Sequence, residues 1–184
     1  MLEVAARLVR TEGVGTLTLA RLAAASGVTK PIAYQHFGTR EGLLCALYQR
    51  LSQHHEAAAT DALANRLHGG LSAQAVADIV ATAFIDCIVD NGDDYAAIVA
   101  ALLASPNGAA ASHALRQSAI AAYGRVLEAH LKPGGHSPVL VSDVLMGAGE
   151  RLADAVRRGN VSQESAAAVL AAMLTPLLQG VAGD

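Results

Sequence analysis

Few side chains in this 184-residue chain are spaced for covalent, acid–base or metal chemistry. His54 and His55 are adjacent. On a helix they point to different faces and cannot chelate one metal together. Ser112-His113 has the same defect. Asp86, Asp90, Asp93 and Asp94 bunch as acids do around calcium, but the calcium-loop pattern is missing, and they read as a solvated helix end. Cys45 and Cys87 form no close-spaced motif, so neither a zinc site nor a disulfide framework is predicted. Gly13-Val14-Gly15 begins like a dinucleotide loop, but no strand precedes it and no third glycine follows. It reads as a helix C-cap and turn. Gly-x-Ser-x-Gly, His-Glu-x-x-His and phosphate-loop motifs are missing from the sequence. The prediction is no enzyme, no metal and no cofactor.

The informative stretch is Thr18 to Leu44. Thr18 is a good N-cap for a helix over about 19–25, with Leu19, Leu22 and Ala23 as its apolar stripe. Ser26-Gly27-Val28 makes a tight turn, and Gly27 tolerates the positive φ such a turn needs. Thr29 can cap the next helix, about 30–37, in which Pro31 falls in the first turn, where its missing N–H costs nothing. Gly38 stops that helix and Thr39 caps a longer one. Two short helices joined by a three-residue turn have the spacing of a DNA-binding helix-turn-helix. Ala23 and Gly27 fall where the two helices would cross, and larger side chains would push them apart.

The frame around this stretch reads as helical throughout. Alanine, the best helix former, is abundant, and no strand-like alternation of any length is present. A first helix is predicted over about 2–11, and a long fourth over about 40–67 ends at Gly69-Gly70. A fifth is capped by Ser72 and broken at Asn91-Gly92, and a sixth starts at Asp93 or Asp94 and ends before Pro106-Asn107-Gly108. A seventh covers about 110–131. After the loop Lys132 to Pro138, two more cover about 139–158 and 163–178. The prediction is an all-α fold of nine helices, with a head over 1–48 and a body over 49–184. Residues 1–50 hold six basic and three acidic groups, net +3, whereas the rest holds seven and thirteen, net −6. A basic head on an acidic body suits a protein that presents one end to a polyanion. Neither a secretory leader nor a membrane span is predicted, so the expected location is the cytoplasm.

Leu19-Ala20-Arg21-Leu22-Ala23, then Gly27 to Phe37 ending in Tyr34-Gln35-His36-Phe37, then Thr39-Arg40-Glu41-Gly42-Leu43-Leu44, closely resemble the signature of the TetR family of transcriptional regulators. The resemblance covers about the first fifty residues, and beyond them extends only to helix number and order. It implies that Lys30 and Gln35 reach base edges or phosphates, that Pro31 and Ala33 meet thymine methyls, and that Tyr34 and His36 make phosphate or flanking contacts. It implies that Arg40 grips a phosphate, that Thr18 and Thr29 offer hydroxyls to phosphates, and that Val28 and Phe37 are core. Two departures stand out. The family carries several basic residues before its first helix, whereas Met1 nearly begins that helix here. Either the true start lies upstream, or Lys30, Tyr34 and Arg40 are expected to carry more of the binding. Ala20 stands where some members place a long polar side chain, which implies lower affinity.

The same resemblance implies a homodimer reading a palindromic operator, with the seam on the last two helices. These present Val141, Val144, Leu145, Ala148, Leu152 and Val156, then Val169, Leu170, Met173, Leu174, Leu177 and Leu178. It also implies a small-molecule effector site in the body, with Phe84, Cys87, Tyr95, Ile98, Leu102 and Tyr123 as candidate liners. These few charges on apolar stripes imply a largely apolar effector of unknown identity, whose binding releases a repressor from double-stranded DNA. The alternative is a helical small-molecule binder or enzyme that keeps a non-functional head.

Overall fold

Alanine-rich stretches interrupted by glycine and proline give helices with sharp ends. In the computed structural model, which describes residues 1–64, 71–105 and 108–180, they follow in the order α1 (Leu2–Glu12), a 3-10 turn (Val14–Thr16), α2 (Leu19–Ser26), α3 (Lys30–Phe37), α4 (Arg40–Ala64), α5 (Ala73–Leu103), α6 (Gly108–Glu128), α7 (Pro138–Arg157) and α8 (Gln163–Gln179). Among the described residues there is no strand, so the fold is all-α. The nine helical segments are eight α-helices and the short turn after α1.

One expected break is not present. Helix α5 runs through Asn91-Gly92 without interruption, so the predicted fifth and sixth helices are one. A glycine inside a helix costs about 1 kcal/mol against alanine. Burial on both sides of it outweighs that. Ile85 and Ile88 lie in one apolar core, Ile98 and Leu102 in another, and each fully buried side chain contributes about 1.5–3 kcal/mol. The predicted ends at 65–70 and at Pro106-Asn107 lie outside the described residues.

Cα packing divides the chain into two units. The first holds Met1–Ser52 with Asp93–Gln117, so that the end of α5 and the start of α6 share a core with α1–α3. Tyr95 donates a hydrogen bond from its hydroxyl to that of Tyr48, and Arg10 pairs with Asp94 at 3.3 Å. The second unit holds Gln53–Gly92 with Ser118–Asp184. Its core is built from the end of α4 with α5, α6, α7 and α8, around Phe84, Ile85, Ile120, Tyr123, Leu145 and Leu170. Gly149 is essential to that packing. A Cβ there would stand 2.4 Å from Cε1 and 2.6 Å from Cδ1 of Phe84.

Candidate nucleic-acid interface

The head is set by its caps. The Thr18 hydroxyl accepts the Arg21 N–H at 3.1 Å and starts α2. Gly27 stops it in the left-handed region, at φ 67°, and its N–H points back to the carbonyls of Ala23 and Ala24. That turn delivers the chain into α3, with Pro31 in its first turn. Thr29 occupies the N-cap position of α3, but its side chain makes no capping hydrogen bond. The Thr39 hydroxyl caps α4 by accepting the Gly42 N–H at 3.0 Å.

Helix α3 turns one narrow face inward. Ala33 is fully buried and Phe37 packs against the head core, one helical turn further on. Lys30, Pro31, Tyr34, Gln35 and His36 are all exposed. The His36 ring meets Phe37 edge-on, with centroids 4.5 Å apart. Val28 is also packed against the head core, as expected. The helix therefore protrudes with polar and aromatic side chains outward, which is the requirement for entering a major groove.

Two expectations change here. Ala33 cannot meet a thymine methyl, because it lies four residues before Phe37 and shares its inward face. The exposed aliphatic side chain is instead Ile32, 46% exposed, a residue that the sequence reading passed over. Arg40 is committed within the head: its Nε donates to the Leu17 carbonyl and its Nη2 to the Val14 carbonyl, both at 2.8 Å. It straps the segment between α1 and α2 to the start of α4. Two of its five N–H donors are thereby used, and its charge faces carbonyls rather than a carboxylate.

Electrostatics at the head are less basic than a residue count suggests. Arg10 pairs with Asp94, Arg21 with Glu12, and Arg50 with Glu3. Glu12 takes two hydrogen bonds from Arg21 and holds its guanidinium pKa above the ordinary value. Among the described residues, Lys30 pairs with no carboxylate, so the recognition helix carries an uncompensated cation at its first position.

The candidate effector liners are divided between the two units. Tyr95, Ile98 and Leu102 belong to the head unit, where Ile98 and Leu102 are core. Phe84, Cys87 and Tyr123 lie in the other unit, and the Phe84 and Tyr123 rings meet at 5.6 Å. The Tyr123 hydroxyl is buried with no hydrogen-bond partner among the described residues. Burial, reinforced by Cys87 and Glu56, pushes its pKa well above the usual tyrosine value. None of the six lines either described cavity of the second unit. One, of about 410 Å³, lies between α5 and α8 beside Asp78, Asp86 and Glu164, and one of about 680 Å³ is lined by Leu71, His130, Lys132 and Leu178.

The seam residues also divide. Val141, Leu145, Leu170, Leu174 and Leu178 are buried in the core of their own chain and are not free to meet a partner. Val144, Ala148, Leu152, Val156 and Leu177 are half-buried. Val169 and Met173 are exposed, on one stripe of α8 with Ala168, Ala172 and Pro176. Leu140, 53% exposed on α7, was not anticipated.

A capped two-helix head with an exposed second helix has the architecture of a DNA-binding helix-turn-helix. Residues 1–47 match the family described as "Bacterial regulatory proteins, tetR family". Over its length the chain is similar to three solved structures. One is a TetR-family transcriptional regulator from Rhodococcus sp., with 16% identity and TM-score 0.75, covering 97% of this chain and 96% of that one. Another is the fatty acid degradation regulator FadR from Bacillus halodurans, with 14% identity and TM-score 0.63, covering 98% and 95%. The third is the multidrug binding protein EbrR, solved with imidazole, with 19% identity and TM-score 0.64, covering 94% and 92%. No curated protein sequence matches. Residues 1–47 thus match the TetR family by sequence, and the chain as a whole shares its fold with these solved structures. Among the described residues no helix is long and apolar enough to cross a membrane.

Proposed function

We propose that this protein is a cytoplasmic, homodimeric repressor that binds a palindromic operator through residues 1–48 and is released when a small, largely apolar effector binds within residues 49–184. The observation that carries the reading is the outward face of α3, with Lys30, Pro31, Tyr34, Gln35 and His36 exposed beyond a buried Ala33. Lys30 and Gln35 supply donors and acceptors for base edges, and Tyr34 and His36 flank them toward the phosphates. Thr29, with its hydroxyl not used in capping, adds a phosphate donor, and Thr18 keeps its O–H while its oxygen caps α2. Arg40 contributes through its remaining donors and its charge.

One α3 reads only a few base pairs, so affinity requires two heads, about 34–36 Å apart or a multiple of that. The exposed α8 stripe of Val169 and Met173, with Leu140 and Val144 on α7, is the surface that supports a two-fold seam. The effector site centres on Phe84, Cys87 and Tyr123, where an unpartnered hydroxyl sits in apolar surroundings. The fold's likeness to proteins named for fatty acid degradation and multidrug binding favours an apolar effector. Release follows if the effector prefers a conformation that does not fit DNA.

The test is binding to duplexes selected from a random DNA pool. Lys30→Ala and Tyr34→Ala should each abolish it while helical content stays unchanged. Unaltered binding by both variants would overturn the assignment of α3.

A further inference from the structure

We propose that Ile32 is a specificity-determining residue that reads the 5-methyl group of one thymine in each half of the operator. This rests on the reading of α3 as the recognition helix. Successive residues of a helix turn by about 100°. With Ala33 and Phe37 defining the inward face, the positions most nearly opposite are Pro31, Ile32 and Gln35. Tyr34 and His36 fall to either side. Gln35 is therefore at the centre of the outward face, with Pro31 on one side of it and Ile32, one turn away, on the other.

Its chemistry has no other use there. The head core is completed by Ala33 and Phe37, and Ile32 stays 46% exposed. Isoleucine has lower helix propensity than the Lys, Gln or Ala that could stand on an exposed helix face, so the helix gains nothing from it. Beside Gln35, it faces the donors and acceptors of the groove with an aliphatic surface. The apolar feature a base pair displays in the major groove is the thymine C5-methyl. A β-branched side chain is already stiff about χ1 and loses little freedom on meeting it. Pro31, its neighbour, is exposed too but has a short ring held to the backbone.

The size of the effect follows from one methyl buried against an aliphatic side chain. Removing it weakens binding about fourfold per half-site, or about 0.8 kcal/mol. Two symmetric half-sites give roughly fifteenfold.

The experiment uses the full chain and a duplex selected from a random pool. Each thymine is replaced by uracil, which removes the methyl and leaves the hydrogen-bonding edge intact. The expected result is one symmetry-related pair of positions where uracil weakens binding about fifteenfold. In Ile32→Ala the thymine and uracil duplexes should bind equally, and in Ile32→Val a smaller penalty should remain. Pro31→Ala should keep the full penalty. The proposal is overturned if no thymine is sensitive to uracil, if the penalty persists unchanged in Ile32→Ala, or if it disappears in Pro31→Ala. A wild-type chain that retains no duplex at all fails earlier, at the DNA-binding reading, and takes this inference with it. A chain that binds DNA but ignores the methyl refutes Ile32 alone.

Discussion

Arg40 offers a clean separation between a residue that holds the head together and one that only touches DNA. Its two hydrogen bonds, to the carbonyls of Leu17 and Val14 at 2.8 Å, tie the turn after α1 and the entry to α2 onto the first residue of α4. A hydrogen bond with one charged partner contributes about 1.5–3 kcal/mol. Because this site is only part-buried, water can replace some of that, and about 2–3 kcal/mol for the pair is a fair discount. Arg40→Met keeps the stem and removes both bonds. In the absence of DNA, thermal unfolding followed by circular dichroism should fall by about 4–12 °C, at about 2–4 °C per kcal/mol for a chain of this size. Arg40→Lys keeps the charge but cannot span both carbonyls, and should recover only a small part of that loss. If Arg40 acted only on phosphate, both variants would unfold with the wild type and only the salt dependence of DNA binding would change. Unfolding of Arg40→Met at the wild-type temperature refutes the strap.

Gly149→Ala should destabilise the protein by about 1–3 kcal/mol in urea titration, because the new Cβ would overlap the buried Phe84 ring. Gly147→Ala, with nothing within 4 Å in its own chain, should instead gain up to about 1 kcal/mol in the monomer. Tyr123→Phe removes a buried hydroxyl that has no partner and should raise stability by about 1 kcal/mol. The raised pKa of Tyr123 means its folded form favours the neutral phenol. That stability is complete below the ordinary tyrosine value near 10 and is lost as pH rises beyond it, so the advantage of Tyr123→Phe should widen in alkaline melts. Met173→Glu, placing like charges across the proposed two-fold seam, should leave the protein monomeric in size-exclusion chromatography without loss of helix, where the wild type elutes as a dimer.

The head was legible because its signals are local. Thr18, Gly27, Pro31 and Gly38 each act within a turn of themselves, and each cap or stop falls where the spacing placed it. What escaped was direction. Ala33 read as a DNA contact because it lies in the recognition helix, yet Phe37 four residues later already marked its face as inward. The same phase would have found Ile32. Arg40 escaped for a different reason: its partners lie 23 and 26 residues away, and no pattern in a sequence announces a bond to a backbone carbonyl. Long-range packing also decided α5, where two separate cores outweighed the break at Asn91-Gly92. In α7 and α8 apolar residues lie on more than one face. Periodicity marked apolar stripes on both helices but could not say that Leu145 and Leu170 face inward while Val169 and Met173 face out.

The central claim, that this head grips a nucleic-acid backbone and reads its groove, is tested most directly by the salt dependence of binding to a duplex selected from a random pool. With Lys30 and Arg40 as cations in each of two heads, about four phosphates are neutralised. The logarithm of the binding constant should then fall against that of salt with a slope of about −3 to −4. Binding that ignores salt, or a protein that retains no duplex from the pool, would contradict the account.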